Sequence, residues 1–243
     1  MAHPEKILTT NSINELQRAL QRLEKGEPLP YILGHWEFYN LDFYVTPDVL
    51  IPRPETELLV EHALCWLAEH PNRRQAVDIG IGSGCIAVSL AANQPDLSVV
   101  AVDISWRALQ VARRNISRYQ LNQRVSLLQS DLAEALLPAR PGQRFDLICA
   151  NLPYIPDGTL ESLGKLRWEP QIALTGGASG TILIERLLQR VPDLLSPGGL
   201  LILEIESSLG ENVRSLVQST LPQASVQVFP DLAGLDRLVI AQT

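Results

Sequence analysis

The tetrapeptide Asn151-Leu152-Pro153-Tyr154 combines residue types that can hold a planar nitrogen group. The side-chain oxygen of Asn151 and the backbone carbonyl of Leu152 can each accept one of the two N–H bonds of an amide or amine. Pro153 stiffens the loop, and Tyr154 offers an aromatic wall. Such acceptors orient a nitrogen for group transfer and stabilise the positive charge that develops on it. In isolation, however, Asn-x-Pro-Tyr is also an ordinary turn sequence.

A second motif places glycines at alternate positions between an apolar strand and an apolar helix: Asp78-Ile79-Gly80-Ile81-Gly82-Ser83-Gly84. Glycine lets a ligand lie against bare backbone. The dinucleotide fingerprint would need a further glycine where Cys85 stands, and the Gly-Lys-Ser/Thr of a phosphate loop is absent. This context favours a cofactor loop over a turn built only for close packing.

Acidic residues end the next two strands. Asp103 lies roughly 20 residues beyond the glycine turn, where a carboxylate can accept both hydroxyls of a ribose. An aspartate at a strand end can equally cap the following helix. Asp131 and Leu132, after the third strand, are candidates for the adenine side. The glycine turn and Asp103 together indicate a cofactor that carries a ribose. If the glycine turn holds S-adenosylmethionine, Asn151 would face its methyl group.

The elements that position these motifs alternate as strands and helices from about Gln75 onward. The strands are apolar without alternation, which is typical of a parallel sheet covered on both faces. They are predicted at 76–79, 99–103, 125–128, 145–150, 200–204, 226–229 and 237–240. The last two lack an intervening helix, so one of them should be antiparallel. The sequence predicts a doubly wound α/β sheet of seven strands, with the motifs at the carboxyl ends of its first four.

The region before this sheet is short. From Asn11 or Ser12 a helix is predicted, with an apolar stripe that cannot be buried by one helix alone. A β-hairpin broken at Asn40 is expected between Gly34 and Leu50. Thr56 is predicted to cap the following helix. We therefore expect a reduced N-terminal helix and hairpin over residues 1–50 and a methyltransferase domain over residues 51–243.

Composition narrows the functional classes. The net charge of −7 disfavours stable nucleic-acid binding, although several arginines follow Asp103. The three cysteines and four histidines lack metal-ligand spacing, so no metal site is predicted. No apolar stretch is long enough to span a membrane, and the first residues do not resemble a signal peptide, so a cytoplasmic protein is expected.

These motifs resemble those of the HemK/PrmC family, the release-factor glutamine methyltransferases. The resemblance runs from about Gly26 to the C-terminus. Several blocks carry it: Gly34 with Phe38, Leu50-Ile51-Pro52-Arg53-Pro54-Glu55-Thr56-Glu57, Asp78 to Gly84, Asp103, Ser130-Asp131, Asn151 to Tyr154, Arg167-Trp168-Glu169-Pro170, Ala173-Leu174 and Gly176-Gly177. Many methyltransferases share the glycine turn, whereas the Ile-Pro-Arg-Pro-Glu-Thr-Glu block is specific to this family.

The resemblance implies a class I, Rossmann-like fold and methylation of the glutamine in the Gly-Gly-Gln loop of peptide chain release factors. Gly80 to Gly84 and Asp103 would hold the cofactor, and Asn151 to Tyr154 the glutamine. Arg53 and Glu57 would line the rim of the site, or else anchor the loop through salt bridges. The family motif has proline where this chain has Leu152, which still supplies the backbone carbonyl. The second departure is an N-terminal region shorter than the helical bundle usual in the family.

Three other functions are compatible with the site residues. The first is the sister activity, methylation of a glutamine in a ribosomal protein, with which the same site residues are compatible. An amino-methyltransferase of DNA or RNA bases would use a similar grip, but the acidic balance and the lack of a target-recognition region disfavour it. A nucleotide-binding module without turnover is disfavoured by the intact Asn151.

Overall fold

The computed structural model describes residues 9–136, 144–162 and 168–243. Residues 1–8 and Arg167 of the Arg-Trp-Glu-Pro block lie outside these ranges. Among the described residues, no helix is both long enough and apolar enough to cross a membrane.

The first helix, α1 (Thr10–Glu24), begins slightly before the predicted position, because Thr9 is the N-cap and its side chain accepts a hydrogen bond from the Ser12 N–H. Its apolar stripe stays exposed, and the four members lie between 42% and 51% accessible: Ile13, Leu16, Leu20 and Leu23. A short helix α2 (Leu29–Leu33) follows and ends at Gly34, whose φ of 76° is left-handed.

The predicted hairpin is confirmed as β1 (His35–Phe38) and β2 (Leu41–Tyr44), which pair antiparallel. Tyr39 and Asn40 form its two-residue turn, and both have positive φ, as a tight hairpin turn requires. The hairpin packs on the larger domain, since the Asn115 amide bonds both backbone groups of Tyr44. The division at residue 50 stays a prediction.

After the two prolines comes α3 (Thr56–Glu69), whose N-cap is Glu55. The prediction that Thr56 caps this helix is wrong. Turn hydrogen bonds from the N–H groups of Thr56 and Glu57 to the carbonyls of Arg53 and Pro54 start the helix one residue earlier. The Thr56 hydroxyl is therefore available for another contact.

The remaining chain forms the predicted seven-stranded sheet, in the order β5-β4-β3-β6-β7-β9-β8. Its strands are β3 (Gln75–Ile79), β4 (Ser98–Asp103), β5 (Val125–Gln129), β6 (Phe145–Asn151), β7 (Leu195–Glu204), β8 (Ser225–Pro230) and β9 (Asp236–Gln242). The strands β3 to β7 pair parallel, and β9 runs antiparallel to both of its neighbours. The prediction of one antiparallel strand in the final hairpin is confirmed.

Helices cover both faces of the sheet, and alternate residues of each strand belong to two separate cores. One core contains α3, the hairpin, α4 (Cys85–Asn93) and α5 (Trp106–Arg118). The other contains α6 (Ile182–Leu188), α7 (Val191–Leu194) and α8 (Gly210–Thr220). The helices α6 and α7 are separate, and Pro192 lies in the first turn of α7, where its missing N–H costs nothing.

Candidate active site

The carboxyl ends of β3, β4, β5 and β6 surround a cavity of about 300 Å³. This is the edge of the sheet where the strand order reverses, at which open α/β sheets bind ligands. Four predicted groups of residues line the cavity: Gly80 to Ser83, Asp103, Asp131 with Leu132, and Asn151 to Pro153. The structure therefore brings most of the predicted site residues together.

The glycine turn is held open by contacts with β4. The N–H groups of Gly80 and Ile81 both donate to the Val102 carbonyl, and the Gly82 N–H donates to Asp103 Oδ2 at 3.0 Å. Gly80 and Gly82 have φ of 81° and 53°, which leaves bare backbone facing the cavity. Gly84 instead packs closely against α5, because a Cβ there would lie 3.5 Å from Ala112.

Asp78 lies behind the glycine turn and not among the cavity-lining residues. It is buried, and its Oδ2 accepts the Ala87 N–H in the first turn of α4, while Oδ1 has no hydrogen-bond partner. Burial is the main reason that its pKa is raised to about 7, against the lowering effect of the Ala87 bond. Its predicted contact with the cofactor stays a prediction.

Asp103 accepts two backbone hydrogen bonds, from Gly82 to Oδ2 and from Ser105 to Oδ1 at 2.8 Å. Ser105, and not Asp103, is the N-cap of α5. Burial raises the pKa of Asp103, and the backbone bonds lower it. Each carboxylate oxygen keeps a free acceptor site toward the cavity, so the arrangement fits the predicted ribose contact.

At the mouth of the cavity, Asp131 is exposed and forms an ion pair with Arg186 of α6 at 2.8 Å. Leu132 beside it has a φ of 48°, which is unusual for a branched side chain. Together with Ile104, Leu132 gives this end of the cavity apolar walls, which suits a flat heterocycle.

Asn151 ends β6 with its side chain anchored on one side. Its Nδ2 donates to the Thr56 hydroxyl at 3.1 Å, so Oδ1 remains as an acceptor, and Asn151 lines the cavity. Leu152 is buried, and its Cδ2 would lie 3.3 Å from a Cβ at Gly80. The Leu152 side chain thus links the tetrapeptide loop to the glycine turn.

A second glycine loop supports the tetrapeptide from behind. Ile155 forms a parallel bridge with Thr175, and the Gly176 N–H donates to the Ile155 carbonyl. A Cβ at Gly176 would come within 2.7 Å of the Pro153 carbonyl oxygen, and one at Gly180 within 2.5 Å of the Tyr154 carbonyl oxygen. The backbone of the loop is held in place by this close packing.

Tyr154 is not among the residues that line the cavity. Burial raises the pKa of its phenol to about 12, and the nearby charge of Glu204 adds to this effect while Arg237 opposes it. The predicted aromatic wall for the acceptor amide stays a prediction.

The two predicted rim residues differ. Arg53 lines the cavity and is also paired with the buried Glu169, which accepts the Ile51 N–H as well. The Arg53 side chain therefore borders the cavity and also anchors its loop through a salt bridge. Glu57 does not line the cavity, because its carboxylate accepts the Tyr39 N–H at 2.8 Å and ties the hairpin to α3.

Two residues at the site were not predicted to act there. Thr56 lines the cavity and bonds Asn151, and Glu204 at the end of β7 is in register with Asn151. The signal for Glu204 was a single acid closing an apolar strand, Leu200-Leu201-Ile202-Leu203-Glu204, beside the strand that carries the tetrapeptide.

Comparisons with known proteins identify the class of enzyme and the family to which the chain belongs. Residues 54–163 match the Methyltransferase small domain family, and residues 1–34 match the PrmC N-terminal domain family. A release factor glutamine methyltransferase of Koribacter versatilis is 40% identical, covering 99% of this chain and 83% of that protein. Another, of Moorella thermoacetica, is 43% identical and covers 99% and 84%.

Two solved structures share the fold at low sequence identity. A methyltransferase from Pyrococcus furiosus has a TM-score of 0.57 at 20% identity and covers 94% of this chain and 98% of its own. The N-terminal domain of human METTL16, in complex with SAH, has a TM-score of 0.56 at 18% identity and covers 84% and 76%.

Fold and site together define a class I methyltransferase that uses S-adenosylmethionine. The chain belongs to the release factor glutamine methyltransferase family. The residues present fit the cofactor, because bare glycine backbone, the Asp103 carboxylate and apolar walls border one cavity.

Proposed function

We propose that this protein methylates the side-chain amide nitrogen of the glutamine in the Gly-Gly-Gln loop of peptide chain release factors. The anchored Asn151 carries the proposal, because its Oδ1 and the adjacent Leu152 carbonyl give two acceptors for one planar amide. The names of the relatives support the release factor as the protein substrate. Translation termination takes place in the cytoplasm, where we expect the enzyme to act.

The reaction requires help because the lone pair of an amide nitrogen is delocalised into its carbonyl. The bound cofactor supplies an electrophilic methyl group on a positively charged sulfur. Asn151 Oδ1 and the Leu152 carbonyl accept the two N–H bonds and turn the nitrogen toward that methyl group. As the new N–C bond forms, the same two acceptors stabilise the growing positive charge on nitrogen. A proton can leave to solvent afterwards, so no strong base is needed beforehand.

The contacts of the predicted basic residues on α5 do not favour a nucleic-acid substrate. Arg107 pairs with Asp48 and Arg118 with Asp42, while Arg114 stacks on the Tyr44 ring at 3.6 Å. These cations are therefore partly used within the protein and are not grouped to bind a phosphate backbone.

The experiment that tests the proposal is mass-spectrometric mapping of methyl groups. The protein is incubated with S-adenosylmethionine and purified release factor, and in parallel with ribosomal proteins and an oligonucleotide. We expect one methyl group on the glutamine of the Gly-Gly-Gln loop. Methylation of a ribosomal protein or of nucleic acid alone would overturn the proposal.

A further inference from the structure

A buried carboxyl group lies directly beneath the tetrapeptide loop, and the reaction described above does not use it. Glu204 is 1% exposed and stands beside Asn151 at the paired ends of β7 and β6. Thr56 at the start of α3 is 2% exposed, and its side chain contacts those of Glu204 and Asn151. Burying an ionised carboxyl group is costly unless it is paired or hydrogen-bonded, and Glu204 Oε2 has no hydrogen-bond partner among the described residues.

The orientation of the Asn151 amide decides whether the site works. With Nδ2 toward Thr56, the oxygen faces the substrate and can accept an N–H. With the amide turned over, an NH2 group would face the substrate NH2 group, and two donors repel each other. Thr56 alone does not select between the two, because a hydroxyl can either donate or accept.

Glu204 removes this ambiguity. A carboxylate can only accept, so a Thr56 hydroxyl that bonds Glu204 donates to it and, as observed, accepts from Asn151 Nδ2. We propose that Thr56 and Glu204 are positioning residues that hold the Asn151 amide with its oxygen toward the substrate nitrogen. This inference rests on the proposed function and names two side chains that act through Asn151.

The charges around Glu204 come from several elements. Burial is the largest influence and raises its pKa to about 7, and the acid Glu55 before α3 adds to this. Hydrogen bonding with Thr56 and Asn151 and the cation Arg237 of β9 act in the opposite direction, and the phenol of Tyr154 lies close by. Below this pKa the protonated acid donates to Thr56, and the amide is free to turn over.

The first test compares two substitutions of Thr56. Thr56→Val keeps the shape but removes the hydroxyl, and we expect kcat to fall about tenfold to hundredfold, as for a displaced reacting group. Thr56→Ser should restore most of the rate. The KM for release factor and the calorimetric affinity for S-adenosylmethionine should not change. Wild-type kcat in Thr56→Val would overturn the proposal.

The second test follows pH. The wild-type rate should rise through about pH 7 as Glu204 ionises, and Glu204→Gln should be slow with this rise removed. Glu27→Gln is the matched control, since Glu27 is also buried but lies far from the cavity and pairs with Arg22. An unchanged pH profile in Glu204→Gln would refute the positioning role.

A third readout does not depend on turnover. The side-chain NH2 signals of Asn151 in a ¹⁵N-labelled protein should shift with the ionisation of Glu204, and Thr56→Val should alter that shift. If wild type methylates no release factor but these signals titrate as expected, the proposed function fails and the positioning network stands. Signals that do not respond to pH overturn the network itself, whatever the substrate.

Discussion

At the scale of single residues, the amide of Asn151 is the group on which transfer depends. Asn151→Ala removes one of the two acceptors for the substrate amide but leaves the glycine turn and Asp103 unchanged. Loss of one charge-stabilising group in an active site costs about 10²–10³ in kcat. We expect a loss of this size in the rate of release-factor methylation, measured by mass spectrometry. The affinity for the cofactor, measured by calorimetry, should not change.

The control for this prediction is Asn93→Ala on α4, where the amide only bonds the Ser89 carbonyl of its own helix. It should methylate at the wild-type rate. A similar loss in both variants, or a fully active Asn151→Ala, would contradict the role of the tetrapeptide.

Leu152 is the residue at which this chain departs from the family motif, and the structure gives it a packing role that proline would fill differently. Its side chain is buried against the glycine turn, whereas its contribution to chemistry is a backbone carbonyl. Leu152→Pro keeps that carbonyl. We expect kcat to stay within about tenfold of wild type, a barrier change under about 1.4 kcal/mol.

Loss of buried methyl groups should lower the Tm of Leu152→Pro, which thermal unfolding followed by circular dichroism will measure. The kinetic assay must be run below that Tm. An inactive but folded Leu152→Pro protein would mean that position 152 contributes more than its carbonyl.

At the scale of elements, the second glycine loop (residues 175–181) supports the tetrapeptide loop. A side chain added at one of its glycines is expected to displace the tetrapeptide loop. In Gly180→Ala a Cβ would meet the Tyr154 carbonyl oxygen at 2.5 Å and push the loop forward. Displacement of a reacting group by about 1 Å can cost about 100-fold in rate. We therefore expect kcat to fall by about tenfold to hundredfold, as measured by release-factor methylation.

Gly234→Ala is the matched control, because Gly234 has nearly the same φ, 79°, yet open space around it. Both variants place a side chain in the left-handed region, at about 1–2 kcal/mol. Their Tm values should therefore both fall, but only Gly180→Ala should lose kcat. Equal kcat losses in the two would refute the supporting role of this loop.

The elements that could be predicted from sequence are those with a strong local pattern. The strands β3, β4, β6 and β7 are apolar runs in which both sides of the pleat are buried, and the hairpin has its turn residues in place. Predictions failed where contacts are long-range. Whether Thr56 caps a helix or bonds Asn151, 95 positions away, depends on turn bonds and on a strand that local sequence does not encode.

The same limit applied within the site. Motif order placed Asp103 and Asn151 at one edge of the sheet, because parallel strands end together. It did not show that Tyr154 is absent from the cavity lining or that Glu57 bonds the hairpin. Those outcomes depend on side-chain directions set by neighbouring elements. Glu204 was missed because an acid closing a strand is usually solvated, and here it is buried.

At the scale of the whole molecule, buried carboxyl groups at the site make stability depend on pH. The pKa of Asp78 is raised to about 7 from an ordinary value of 3.8. The folded state therefore holds this proton more tightly than the unfolded chain does. By linkage, the free energy of unfolding falls as pH rises from about 4 to about 7, and the full penalty is present above pH 7.

Asp78→Asn removes this penalty while its amide oxygen can still accept the Ala87 N–H. At about 1.4 kcal/mol per pKa unit, the variant should be more stable at pH 8 by about 1–4 kcal/mol. Each kcal/mol raises the Tm by roughly 2–4 °C for a domain of this size. The gain, measured by thermal unfolding without cofactor, should shrink as pH is lowered toward 4.

Glu27→Gln should behave in the opposite way, because hydrogen bonding with Arg22 lowers the pKa of Glu27. That carboxylate stabilises the fold above its unfolded pKa, so its loss should lower the Tm at pH 8 and matter less in acid. If Asp78→Asn also lowers the Tm at pH 8, the buried carboxylate is stabilising and the sign argued here is wrong. If Asp78→Asn raises the Tm and weakens S-adenosylmethionine binding in calorimetry, the buried Asp78 carboxyl group lowers the stability of the fold but is needed for cofactor binding.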